Sequence, residues 1–85
     1  MNPTKKCIKA VLSSMNRLLA SGNCNIDDIV NSSECQSYNQ TEIDDCIYYL
    51  KQNHYIRAKI IPADDKIYDM PECAVTDKGN NLLKE

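Results

Sequence analysis

The 85-residue chain contains no tryptophan and no phenylalanine, only two glycines and three prolines, and a single histidine. Without the large apolar rings, a core has to be assembled from Ile, Leu, Val, Met and Cys. All five aromatic residues are tyrosines: Tyr38, Tyr48, Tyr49, Tyr55 and Tyr68. Gly22 and Gly79 stand too far apart to form a Gly-rich phosphate cradle. His54 sits where a helix is expected to end, a place where capping accounts for it, and Ser13 and Ser14 lie in mid-helix and not on a strained nucleophile turn. Asp44-Asp45 and Asp64-Asp65 lack the further oxygen ligands of a calcium loop. No enzyme activity is expected.

No apolar run approaches the ~20 residues of a membrane span. Met1 to Lys6 leads into an amphipathic stretch and not an unbroken signal core. A cytoplasmic location with no membrane partner is expected. The five cysteines, Cys7, Cys24, Cys35, Cys46 and Cys73, are odd in number and contain no C-x-x-C pair. That argues against a disulfide scaffold and against a structural zinc site. They read as reduced, inert thiols, with Cys7 and Cys46 serving as small hydrophobes on helix faces. No metal and no cofactor is expected.

What is present is enough for one domain, residues 1–85, able to bury about 60–65% of its unfolded surface. The net charge of −2 is unevenly spread. Residues 1–26 carry Lys5, Lys6, Lys9 and Arg17 with no acid. Residues 27–50 carry Asp27, Asp28, Glu34, Glu42, Asp44 and Asp45 with no base. Lys51, Arg57 and Lys59 follow, and the remainder is acidic again.

Asn2-Pro3 reads as a helix start, with Asn as N-cap and Pro at the first helical position. Ile8, Val11, Leu12, Met15, Leu18 and Leu19 then form one apolar stripe, and Gly22 is a stop. The first helix is therefore expected from about Pro3 to Ala20 or Ser21. Asn25 caps a short second helix with Ile26, Ile29 and Val30 on its apolar side, ending near Ser32 or continuing weakly toward Cys35. Asn39-Gln40-Thr41-Glu42 resembles a capping box and opens a third helix over Thr41–Asn53. Its apolar residues Ile43, Cys46, Ile47 and Leu50 follow the i, i+3, i+4, i+7 series. Asn53 is the expected left-handed C-cap. Tyr55–Ile61 and Lys66–Met70 read as strands around the turn Pro62-Ala63-Asp64-Asp65, with Pro71 ending or bending the second. Thr76 caps a last helix, in which Gly79 is expected to permit close approach of another backbone. Three helices, a hairpin and a final helix make an α+β chain with the element order of a winged helix-turn-helix.

Two stretches carry a family resemblance. Leu50-Lys51-Gln52-Asn53-His54-Tyr55-Ile56 resembles the "leucine, polar pair, Asn-Gly-Tyr-Ile" exit from the recognition helix of many bacterial winged-helix proteins. Val75-Thr76-Asp77-Lys78-Gly79 with Leu82-Leu83 resembles the "Leu-Thr-x-Lys-Gly-x-x-x-Leu" opening of their final helix. The chain is most similar to the small YjcQ-like winged-helix proteins of Gram-positive bacteria and their phages, and more distantly to PadR-type and MarR-type regulators. It departs from the pattern at His54, where glycine is usual, and in the acidity of the third helix. The resemblance implies a winged-helix fold, and for the regulators double-stranded DNA as partner.

A recognition helix presents its outer face to the major groove. Here that face holds Thr41, Asp45, Tyr48 and Gln52, with Glu42 and Tyr49 on its flank. Gln52 could bond adenine, Thr41 a thymine methyl or a phosphate, and Asp45 cytosine N4. Phosphate contacts are expected from Gln40 and Thr41 at the helix start, and from Lys51, Arg57 and Lys59. Arg57 and Lys59 are two apart and share one strand face. The DNA-binding set is therefore Gln40, Thr41, Tyr48, Lys51, Gln52, Arg57 and Lys59, in a transcriptional regulator. A solvated polar face is the competing reading of these residues. The alternative function is a protein-interaction module, in which an acidic helix beside exposed tyrosines meets a protein partner. The breadth of the first helix's apolar arc further predicts a homodimer.

Overall fold

The computed structural model describes residues 3–22 and 24–85. It contains four α-helices, a single 3-10 turn and a two-stranded antiparallel hairpin, in the order α1 (Lys5–Ala20), α2 (Ile26–Val30), the 3-10 turn (Ser33–Cys35), α3 (Gln40–Gln52), β1 (Ile56–Ala63), β2 (Lys66–Val75) and α4 (Asp77–Leu83). No helix among the described residues is long and apolar enough to cross a membrane.

The first helix begins later than its sequence suggests. Thr4 is its N-cap: the Thr4 hydroxyl accepts the Cys7 N–H at 3.1 Å, and Pro3 lies outside the helix. Asn2 lies outside the described residues. A hydroxyl placed three residues before a free amide outweighs the positional preference of proline. Gly22 takes a φ of +83° just beyond the helix and donates its N–H to Leu19, as a helix stop requires. The stripe Ile8, Val11, Leu12 and Met15 is buried, while Leu18 and Leu19 are half-buried. The chain's own elements cover most of that arc, so it leaves no broad apolar face as an argument for a dimer.

Asn25 caps α2 through the Asp28 N–H at 2.9 Å. The helix stops at Val30, and the stretch toward Cys35 forms a separate 3-10 turn. Ser32 explains the break. Its hydroxyl donates to the Ile29 carbonyl at 2.7 Å and accepts from the buried Ser14 hydroxyl at 2.8 Å. A side chain that satisfies the helix's last carbonyls competes with another turn of helix.

Four residues of α3, Ile43, Cys46, Ile47 and Leu50, are fully buried against α1 and the hairpin. Truncating Leu50 to Ala therefore costs about 2–5 kcal/mol. The left-handed residue at its end is His54 (φ +63°), not Asn53 (φ −96°). The His54 N–H donates to Lys51 O and the Tyr55 N–H to Leu50 O, the paired bonds of a Schellman motif. That motif needs its left-handed residue at the first position past the cap, which is His54.

The hairpin is longer than the sequence pattern suggests, because neither Pro62 nor Pro71 ends a strand. Pro62 pairs with Ile67, and the turn shrinks to Asp64-Asp65, with φ of +52° and +66°. Two left-handed residues make a type I′ turn, whose twist matches that of the strands, and Asp tolerates the conformation. Pro71 lies at the register shift between the pairs Lys59–Glu72 and Ile61–Asp69, where no ladder bond is demanded of it. With two strands in the sheet among the described residues, both are edges, and edges and bulges tolerate proline.

Candidate functional site

Of the three acids of α3, Glu42 and Asp44 make hydrogen bonds within the fold. Glu42 is held in the capping box, its Oε1 accepting the Asn39 N–H at 3.1 Å while Asn39 Oδ1 accepts the Glu42 N–H at 2.9 Å. Asp44 is turned into the core. Its Oδ2 accepts the backbone N–H of Ile67 on β2 at 3.1 Å, and its Oδ1 faces Gln40 Nε2 at 3.5 Å. Burial pushes the Asp44 carboxyl above the usual aspartate value, with the Ile67 and Gln40 hydrogen bonds opposing that rise. Asp45, half-buried, is the acid left among the exposed Thr41, Tyr48 and Gln52.

Asp44 was legible in part. It lies about 100° around the helix from Ile43, at the rim of the apolar face, whereas Asp45 lies behind it. Its bond to Ile67 crosses to a strand that periodicity cannot locate.

Tyr49 and Tyr55 stack with ring centroids 6.4 Å apart and planes 18° from parallel. This contact joins the last turn of α3 to the residue closing its Schellman motif. Lys78 Nζ donates to Asn53 O at 2.8 Å and lies 4.6 Å from the Tyr55 ring centroid. Tyr49 and Lys78 thus make contacts within the fold, and both Tyr48 and Tyr49 are exposed.

The basic residues beyond α3 converge. Lys51, Arg57 and Lys59, all exposed, line one open depression of about 720 Å³ between the end of α3 and the hairpin. Glu72, paired with Lys59 across the strands, is its acidic member, and Cys73 forms part of its wall. The ion pair found among the described residues is Arg17–Glu34, remote in sequence from this set. Gln52 adjoins Lys51 on the same helix. Gln40 and Thr41 open α3 at its other end, roughly 16 Å along the helix axis from Lys51, and do not line the depression. Lys5 lines a separate hollow with Ile8, Tyr49 and Leu82. The expected residues thus divide into a basic cluster and a polar helix face.

The thiols form two pairs that sequence spacing does not reveal. Cys7 and Cys46 are buried with Sγ atoms 2.9 Å apart, joining α1 to α3. Cys24 and Cys73 are partly exposed with Sγ atoms 3.8 Å apart. Among the described residues, no group of three or more His, Cys, Asp or Glu side chains is placed to hold a metal ion.

Comparison with protein-family models, with curated proteins and with solved structures returns no match.

Proposed function

We propose that this chain is a winged helix-turn-helix protein that binds double-stranded DNA in transcriptional regulation. In this reading α2 and α3 are the helix pair, α3 enters the major groove and the β1–β2 hairpin is the wing. The observation that carries it is the convergence of Lys51, Arg57 and Lys59 on one depression between the end of α3 and the hairpin. Cations at such a place contact phosphates and fix the orientation of the helix. Thr41, Tyr48 and Gln52 then offer hydroxyl and amide groups to base edges, and Asp45 favours cytosine N4 over any phosphate.

The test is fluorescence anisotropy of a labelled mixed-sequence duplex titrated with the protein at 50 mM and at 200 mM salt. Neutralising three phosphates gives a log–log salt slope of about −2.7, which is roughly a 40-fold loss of affinity over that range. Arg57→Glu combined with Lys59→Glu removes the binding at 50 mM salt. No binding by the unaltered protein at that salt overturns the reading.

A protein-interaction module is the second reading, favoured by the exposed apolar surface of Tyr48, Tyr49, Ile61 and Tyr68, the last of these 67% exposed. Aromatic residues of this kind are enriched at protein interfaces. It predicts no salt-dependent duplex binding.

A further inference from the structure

We propose that Cys24 and Cys73 form a dithiol that hydroperoxides close reversibly to an intramolecular disulfide. The two residues lie 49 positions apart in sequence, yet their sulfurs stand 3.8 Å from each other. Both are partly exposed, so a small oxidant can reach them. Cys24 lies outside the helices, in the connection between α1 and α2, and Cys73 lies on β2 opposite Ala58. Disulfide formation has to close the sulfurs from 3.8 Å to the bonding distance of about 2.05 Å.

The chemistry of the pair is asymmetric. The Cys73 S–H holds the Cys24 thiol below the ordinary thiol range, against burial and the nearby Asp28 carboxylate, while Cys73 itself is pushed up. Cys24 is therefore the attacking sulfur. Its thiolate attacks one peroxide oxygen; an S–O bond forms, the O–O bond breaks, and the departing oxygen leaves as water or an alcohol after taking a proton. Cys73 then attacks the Cys24 sulfenic sulfur. The S–S bond forms, the S–O bond breaks, and hydroxide leaves as water with the Cys73 proton. Two electrons pass from the two sulfurs to the two peroxide oxygens.

The second pair provides the internal contrast. Cys7 and Cys46 are closer together but sealed in the core, and burial pushes both thiols up, Cys46 strongly. Inaccessible thiols of raised pKa react slowly with peroxide.

The experiment treats the full chain with hydrogen peroxide, followed by intact-mass measurement, non-reducing peptide mapping and thermal unfolding. The expected product is a monomer lighter by two hydrogens, with Cys24 joined to Cys73 and Tm raised on the order of 10 °C by closure of a long loop. Dithiothreitol reverses both changes. Cys24→Ser and Cys73→Ser each abolish the cross-link, and the Cys73→Ser variant retains a sulfenic acid at Cys24 that a cyclic 1,3-diketone traps. A Cys7–Cys46 disulfide formed in preference, a cross-linked dimer as main product, or unchanged mass at millimolar peroxide overturns the proposal.

Discussion

Gly79 faces the backbone carbonyl of Tyr55 with no space for a side chain between them. A Cβ on Gly79 would overlap the Tyr55 oxygen and stand 2.8 Å from Val75 Cγ1. The same carbonyl accepts the Thr76 N–H at 3.1 Å and the Thr76 hydroxyl at 2.9 Å, and that hydroxyl also donates to His54 O at 2.7 Å. The exit of α3 and the start of α4 are thereby a single junction. Gly79→Ala is expected to destabilise the fold by about 1–3 kcal/mol through overpacking, more than the ~1 kcal/mol that alanine gains as a helix former. Urea unfolding measures it; an alanine variant as stable as the parent would show that the contact is slack.

His54 carries a φ of +63° where glycine would be unstrained. An L-residue there costs roughly 1–2 kcal/mol, partly offset by the greater freedom glycine loses on folding. His54→Gly is expected to stabilise by about 0.5–1 kcal/mol, a rise of a few degrees in Tm. His54→Ala, with the same strain, should bring no such rise.

Asp44 and Glu34 give opposite acid responses. The folded Asp44 carboxyl titrates above its ordinary value of 3.8 because burial disfavours its charge. Its contribution to stability is therefore fully present below that pH and is lost as pH rises through the raised folded value. Asp44→Asn should remove this segment of the pH–stability curve and match or exceed the parent at pH 7, since an amide oxygen still accepts the Ile67 N–H. Asp44→Ala leaves that N–H unpaired at about 1–3 kcal/mol. A curve unaltered by Asp44→Asn would mean that the carboxyl titrates normally.

Glu34 is held down to about 2 by the Arg17 guanidinium, which meets it in two hydrogen bonds of 2.8 and 2.9 Å. Its contribution is present above 4.5 and is lost as pH falls from there through about 2. Glu34→Gln should flatten that acid limb, read by circular dichroism across a pH series.

If the basic depression meets phosphates, Lys51→Ala, Arg57→Ala and Lys59→Ala each reduce the salt slope of duplex binding by about one, uniformly across sequences. Gln52→Ala should leave that slope intact and change discrimination between sequences. Equal slopes in the parent and the three cation variants would move the phosphate contacts elsewhere.

The sequence by itself determined the order of the helices and the inward face of α3. Ile43, Cys46, Ile47 and Leu50, the box formed by Asn39 and Glu42, and the stop at Gly22 are local, because capping and periodicity involve residues within a turn or two of one another. The close backbone approach at Gly79 was also legible, since glycine inside a helix implies a reason for lacking a side chain. The tertiary structure decided what depends on residues remote in the chain. The strands run past Pro62 and Pro71 because each is an edge with a bulge to receive it. Asp44 turns inward because the Ile67 N–H waits there, and Cys24 meets Cys73 because β2 passes beside the segment after α1. Each of those outcomes is set by a partner more than twenty residues away or by strand register, and no local pattern encodes either.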